Sequence, residues 1–486
     1  MVRQRVRLTL HILGSFLKYF ALVYVVPLLV AIHYSEPNPL NGQPNWLIYL
    51  YSLVLTLGVG LVLELAFRTD RDIERADGFT IVALTWLVIP LFGTVPYLFL
   101  GLGFVDAFFE SMSGFTTTGA TILTATRPDG FFALPNSVLL WRSLTQWLGG
   151  MGVITLFVAI LPRLGVGGSQ LFDREFPGAM PERLRPRFST TARLLWTIYV
   201  GFTVAQIVFL YFLARLPLFD SACISLCTLP TGGFTPTAAS IAAYHNPVAE
   251  YIIMVFMFLA GVNFVIHYQV LRGNRRAIKN EEFRLYVIIL VVAAFLLAFS
   301  QGFGSYRDGI FQAISVMTTT GFATADFGLW QPGARIVLLA LMFVGACGGS
   351  TGGGIKVVRV LTLIKHTGVM MRRAISPNAV IPVKFDQKVI SEGTIRDVIS
   401  FVFLYVLVAV VSSVILCFLG LNIETSVSAV AATLGNVGPG LGAVGPASSY
   451  AFLPVAAKAI LIVTMWLGRL ELFTVLMIFF PRFWRA

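Results

Sequence analysis

The sequence predicts an all-α polytopic membrane protein: four pseudo-symmetric repeats of span, pore helix, filter loop and span around one pore, plus two N-terminal transmembrane helices. Three observations predict it: an apolar, sparsely charged composition, a series of runs near bilayer length, and a short motif that returns four times. Of 486 residues, 57% are hydrophobic and 12% are charged, and the mean hydropathy is +0.82. A soluble chain carries roughly twice that charged fraction, so lipid is the expected solvent.

Apolar runs lie near 19–35, 46–67, 79–100, 138–161, 192–213, 247–271, 284–300, 335–344, 398–419 and 454–480. Nearly all approach the roughly 20 residues that cross a bilayer as a helix, the form that satisfies every backbone group in lipid. Ten crossings are expected. The net charge of +12 points to membrane topology, not to nucleic acid. Basic residues gather in alternate loops, among them Arg68, Arg71 and Arg75, then Arg163 to Arg187, then Arg272 to Lys279, then Lys365 to Lys388. The opposite loops hold Arg127, Arg215 and Arg307. Basic loops stay cytoplasmic, which places both termini inside. Lys18 interrupts the first run and no small-residue cleavage site follows, so it reads as an anchor helix. Cys223, Cys227, Cys347 and Cys417 form no CxxC pair and read as packing residues. No metal-ligand spacing and no Ser/His/Asp arrangement is present, so an enzyme is not expected.

The repeated motif is an acid, an apolar stretch and a glycine-bearing turn. It runs from Asp106 to Thr117-Thr118-Gly119, from Asp220 to Pro230-Thr231-Gly232, from Asp308 to Thr319-Thr320-Gly321, and from Glu424 to Asn436-Val437-Gly438. The acid stands thirteen residues before Gly119 and Gly321, twelve before Gly232 and fourteen before Gly438. About three helical turns fit between acid and glycine, too few to cross a membrane, so each stretch should be re-entrant. An acid suits the helix start, and the negative end of the dipole then faces the centre and favours a cation. Glycine lets the turn take left-handed angles without strain, and threonine adds an oxygen. Four such turns around one axis would form a ring of oxygens replacing an ion's hydration shell. The boundaries expected are 1–70 for the N-terminal helix pair, then repeats at 71–165, 188–275, 282–368 and 395–486.

At this point the chain resembles the Trk/Ktr/HKT superfamily of cation transporters over almost its whole length. The resemblance rests on Phe108-Phe109-Glu110-Ser111 before TTTGAT, Gln146-Trp147-Leu148-Gly149-Gly150-Met151-Gly152, Ala159-Ile160-Leu161-Pro162, the stretch Gly348 to Lys356, Asn436 to Gly442, and Gly468-Arg469-Leu470-Glu471. The two extra N-terminal spans favour the TrkH type of potassium-uptake subunit over the shorter KtrB type. The resemblance implies one selectivity glycine per repeat, here Gly119, Gly232, Gly321 and Gly438. Serine at the first accompanies sodium transport in plant relatives, so four glycines imply potassium. The second and fourth loops depart from the TTTG pattern, which implies a less symmetric ring. It further implies a homodimer in the bacterial inner membrane, a cytosolic nucleotide-binding regulatory ring of the TrkA type, and K+ as the transported ion with no cofactor in this chain. A sodium- or proton-coupled secondary transporter is the alternative, since those also carry repeats and broken helices. Loops 163–187 and 365–388 could dock the ring or only signal topology.

Two features read as gates. Residues 345–354 hold six glycines in ten, at about 1 kcal/mol each in a helix. The run Gly348, Gly349, Ser350, Thr351, Gly352, Gly353 and Gly354 should therefore break the span into a loop below the filter, a role the family also implies. Arg469 sits inside the last span, where a guanidinium needs a partner. Glu64 and Glu110 are both candidates, and Glu110 could instead buttress the first filter loop, where the third repeat has Gln312.

Overall fold

The computed structural model describes residues 2–69, 71, 73–128, 130–160, 188–301, 305–378, 381–386 and 388–480, with side chains left aside at 2–3, 75–76, 153–160 and 188–192. The expected basic loop 163–187 and Arg482 and Arg485 lie outside the described residues. About 70% of the described residues are helical. α1 (Val2–Ala21) continues through a 3-10 turn into α2 (Val25–His33), and α3 (Trp46–Ala66) returns beside it. A Cβ on Gly14 would lie 2.5 Å from the Glu64 nitrogen, and one on Gly60 2.8 Å from the Lys18 nitrogen. The two helices therefore touch backbone to backbone, as small residues permit in lipid. Lys18 Nζ lies 2.7 Å from the Glu64 carboxylate across the same seam, so neither charge stands alone in apolar surroundings.

Four short helices follow, each between longer ones. α4 (Arg75–Gly93) and α5 (Val95–Leu98) lead to α6 (Phe104–Phe115) and then α7 (Asn136–Ile160). α8 (Phe188–Phe212) leads to α9 (Leu218–Thr228), then α10 (Pro247–Ala260) and α11 (Phe264–Leu271). α12 (Glu281–Gln301) leads to α13 (Tyr306–Met317), then α14 (Pro332–Phe343) and α15 (Val357–Ile375). α16 (Glu392–Phe418) leads to α17 (Ile423–Leu434), then α18 (Val455–Arg469) and α19 (Phe473–Leu476). The strands β1 (Lys384–Phe385) and β2 (Lys388–Val389) form a minimal antiparallel hairpin with Lys384 opposite Val389.

α6, α9, α13 and α17 hold 11 or 12 residues, about 18 Å at most, which is well short of a hydrocarbon core. Asp106, Asp220, Asp308 and Glu424 all sit in the first turn of their helix. Three of them reach outward to another element. Asp106 pairs with Lys458 at 2.6 Å, Asp308 accepts from the Thr324 hydroxyl at 2.7 Å, and Glu424 pairs with Arg335 at 2.7 Å. Each of these three acids thus pins its helix start to a neighbouring segment as well as meeting the helix dipole.

The chain is a multi-pass membrane protein. Among the described residues, six helices are long and apolar enough to cross a bilayer, or eight if the bent pairs α10–α11 (99°) and α18 with the segment Phe473–Phe479 (110°) each count once. Ten were expected. The run at 138–161 falls in α7, which carries Arg142 and Gln146 on buried positions. The run at 335–344 ends where α14 stops at Phe343.

Replacing Gly60 by leucine should force α1 from α3, because the obstacle is backbone and overpacking costs about 1–3 kcal/mol or more. Thermal unfolding followed by size-exclusion fluorescence in detergent should show a midpoint lowered by several degrees. An unchanged midpoint would mean the seam is not rigid.

Candidate cation site

Each short helix ends in the same way. Thr117, Thr231, Thr319 and Asn436 have φ of 52°, 57°, 59° and 55°. Their N–H groups donate three residues back, to Gly114, Thr228, Val316 and Thr433. The next residues, Thr118, Gly232, Thr320 and Val437, donate five residues back, to Ser113, Cys227, Ser315 and Ala432. This pair of bonds is the Schellman helix stop, which normally uses glycine at the left-handed position. Here threonine stands there three times, a β-branched residue for which positive φ is an outlier. Strain of this kind gathers at functional sites, at about 1–3 kcal/mol per residue.

Two residues beyond each left-handed position stands a glycine of positive φ: Gly119 (83°), Gly233 (81°), Gly321 (79°) and Gly438 (101°). A Cβ on Gly119 would lie 2.2 Å from the carbonyl oxygen of Gly232, on Gly233 2.1 Å from that of Thr320, on Gly321 1.9 Å from that of Val437, and on Gly438 2.5 Å from that of Thr118. Each glycine therefore packs on the residue before the next glycine, and the fourth closes on the first. The expected register needs one correction. Gly233, not Gly232, matches Gly119 in backbone angle and in ring contact, and it too stands thirteen residues after its acid. Pro230 thus precedes the left-handed position and does not belong to the matched triplet. Gly232 occupies the place of Thr118 and Thr320. A Cβ there would meet the Gln146 amide at 2.4 Å, and Gln146 donates to the Gly232 carbonyl at 2.6 Å while accepting from Phe234 N. Gln146 thus fills the room that a side chain takes in the other turns.

All four left-handed glycines line one cavity of ≈ 60 Å³. Thr118, Thr320 and Val437 are fully buried, and among the described residues no donor reaches their carbonyl oxygens. Buried carbonyls are normally paired. A set of them around one axis offers a cation its coordination.

Buttresses stand behind the turns. Glu110 accepts from Thr121 Oγ1 and Ile122 N, each at 3.0 Å, so it supports the first turn as one of its two expected roles required. Gln312 stands at the equivalent place in the third turn, and with its amide assigned so that Nε2 faces the Phe322 carbonyl it accepts from Thr324 N at 2.9 Å, as Glu110 does from Ile122 N. Tyr450 donates to the Gly438 carbonyl at 2.8 Å. Arg142 and Lys458 were not singled out from sequence. A lone cation within an apolar run was the available signal for each.

The glycine-rich segment is irregular from Val344 to Lys356 and touches three of the turns. Thr351 Oγ1 donates to the Leu229 carbonyl at 2.8 Å, and Gly353 N donates to Thr319 Oγ1 at 2.8 Å. A Cβ on Gly353 would lie 2.3 Å from the Gly435 carbonyl. Lys356 Nζ donates to the carbonyl of Gly352. Glu282 holds the segment from outside, accepting from Gly348 N at 2.6 Å and Val358 N at 3.2 Å. Arg469 bridges what remains. Its guanidinium donates to the carbonyls of Thr351 (2.8 Å), Gly149 (3.0 Å) and Gly150 (3.4 Å). Neither carboxylate expected as its partner is there. Glu64 belongs to Lys18 and Glu110 to Arg142. Glu471 pairs with Arg359.

The family model TrkH, described as a cation transport protein, matches residues 50–304 and 287–485. The chain is 37% identical over 490 residues to the Trk system potassium uptake protein TrkH of Escherichia coli strain K12, covering 98% of each. It is 38% identical over 493 residues to the protein of that name from Halomonas elongata, covering 99% of each. The crystal structure of the potassium transporter TrkH from Vibrio parahaemolyticus superposes with a TM-score of 0.86 at 33% identity, covering 99% of this chain and 100% of that one.

The corrected register has a measurable consequence. A cation bound at the ring would stabilise the fold by mass action, and the expected outcome is that potassium raises the melting midpoint over choline by a few degrees. Gly233→Ala should abolish that increment, because its obstacle is backbone. Gly232→Ala should retain part of it, because its obstacle is the Gln146 side chain. The reverse ranking would restore the register expected from sequence.

Proposed function

We propose that this chain forms a potassium-selective, channel-like uptake path, and the premise is its descent: it belongs to the TrkH family of cation transport proteins. The observation that carries the reading is the closed ring in which each left-handed glycine abuts the carbonyl before the next. Four repeats of span, short helix, turn and span supply it. The filter comprises Thr117 to Gly119, Thr231 to Gly233, Thr319 to Gly321 and Asn436 to Gly438, with carbonyls standing in for water around K+. The short helices direct their negative ends at the same place.

The relatives named as Trk potassium uptake proteins and the solved potassium transporter support potassium as the transported ion. The segment 345–354 is the gate in this reading, since it lies against three of the four turns, and Arg469 holds it closed through Thr351. A positive charge there also repels an ion leaving the ring. The charge pattern of the loops supports cytoplasmic termini in a bacterial inner membrane, and the name "Trk system" of the relatives supports a multi-component assembly. A homodimer and a cytosolic TrkA-like ring are the partners we infer.

A second reading, a proton-coupled transporter, draws on Glu282, a buried carboxylate at the gate segment. Uptake into proteoliposomes separates the two. The channel-like reading expects rubidium flux that follows its own gradient and ignores an imposed proton or sodium gradient. Flux that needs either gradient, and loses that need in Glu282→Gln, would establish coupling.

Two variants test the filter and the gate. Gly119→Ser should lower the rubidium-to-sodium uptake ratio by about tenfold, as an altered carbonyl ring implies. Equal ratios would remove the filter assignment. Arg469→Ala should raise partner-free rubidium flux several-fold, since it removes three carbonyl anchors and a repelling charge. A fall in flux with unchanged folding would make Arg469 a structural tie only.

A further inference from the structure

Arg142 lies in the second turn of α7 and is 2% exposed. Its Nε donates to Glu110 Oε1 at 2.8 Å, Nη1 to the Thr235 carbonyl at 3.1 Å, and Nη2 to Thr121 Oγ1 at 3.3 Å. The guanidinium carbon stands 4.1 Å from the centre of the Phe234 ring and 5.0 Å from that of Phe132. Thr121 is two residues past Gly119, and Thr235 is two residues past Gly233. One planar group therefore grips the outer ends of two adjacent turns at equivalent positions. Glu110 doubles the grip on the first by accepting from Ile122 N.

Burying an ion pair rarely adds stability, and its best attested use is to fix one arrangement. Arg142 also lines the cavity beside the four glycines, where a positive charge does nothing to attract a cation. Its chemistry there is geometric: a rigid fork that meets several acceptors at once. The other turns use neutral buttresses, Gln312 in the third and Ser428, which accepts from Leu441 N at 2.9 Å, in the fourth.

We propose that Arg142 is a specificity-setting positioning residue: it locks the outer ends of the first and second turns together and so holds the ring too wide for a smaller cation. The proposal rests on the filter reading above. A ring free to contract at one seam would accept sodium more readily.

The experiment is rubidium and sodium uptake into proteoliposomes holding the full chain. Arg142→Gln and Glu110→Gln should each lower the rubidium-to-sodium ratio by roughly tenfold, with the rubidium rate itself changing less, as loss of size control in the ring implies. The double variant should be no less selective than either single, because both remove one interaction. Arg127→Gln, at an exposed cation of the same outer loop, should leave the ratio unchanged. An unchanged ratio in Arg142→Gln, or an equal loss in Arg127→Gln, overturns the proposal. Where Arg142→Gln does not fold, Arg142→Lys is read instead. It keeps the charge but cannot span three acceptors, so the ratio should still fall, and a normal ratio overturns the proposal. Gly119→Ser keeps the two readings apart. If it leaves the ratio unchanged the filter itself fails, whereas a fall in Gly119→Ser alone removes only the role of Arg142.

Discussion

The structure depends on how four short helices stop. Each ends at a residue forced into left-handed geometry, and two residues later a glycine lies flat against a carbonyl of the next turn. The helix stop and the ring contact are one device, since the left-handed residue turns the chain and the glycine lets the neighbour approach. At Thr117, Thr231 and Thr319 the geometry costs about 1–2 kcal/mol each. Two backbone bonds per stop and complete burial hold it in place. A methyl group at any of the four glycines would lie within 2.5 Å of a carbonyl oxygen, so the ring closes only as a whole.

Everything beneath the ring is shaped by the same scarcity of space. Gly149 meets the Phe115 carbonyl and Gly468 the Leu434 carbonyl at 2.1 Å each for a notional Cβ, so the longer helices press directly on the ends of the short ones. α7 runs through this level unbroken, whereas the three corresponding helices of the later repeats break there. α10 turns into α11 beside Gly261, α14 gives way to an irregular stretch, and α18 turns at Glu471 and Leu472, both of positive φ. The freed backbone groups find partners in side chains. Asn263 caps α11 through Val265 N, Glu282 serves two N–H groups, and Arg469 serves three carbonyls. Irregular backbone at membrane depth survives only with such partners.

Charge inside the apolar mass follows one rule as well. Lys18 meets Glu64, Arg142 meets Glu110, Lys458 meets Asp106 and Arg359 meets Glu471. Each pair joins segments far apart in sequence. In lipid an unpaired ion is costly, so the pairs act as addresses that specify which helix lies beside which. Arg469 differs in kind: it donates to three carbonyl dipoles, and with Lys356 it is a cation that lies against the glycine-rich segment.

Much of this was legible in the amino-acid sequence because it is local. Run length announced a multi-pass chain, though ten crossings were expected where six to eight described helices are long enough; the acid and the glycine bracketed four helices too short to cross, and six glycines in ten residues announced the break at 344–356. Buttressing by Glu110 was legible as one of two roles, because Gln312 stands at the equivalent place. What the sequence could not decide was which of two adjacent glycines joins the ring. Gly232 and Gly233 are chemically identical, and they differ only in backbone angle and in whether Gln146 or a neighbouring turn fills the space beside them. The contacts of Arg469 with the carbonyls of Thr351, Gly149 and Gly150 were equally hidden, because a search along the chain looks for carboxylates. Composition, period and spacing are properties of one segment at a time. Ring closure, the second-turn register and the pairing of buried charges are relations between segments up to several hundred residues apart, and only the packed chain fixes them.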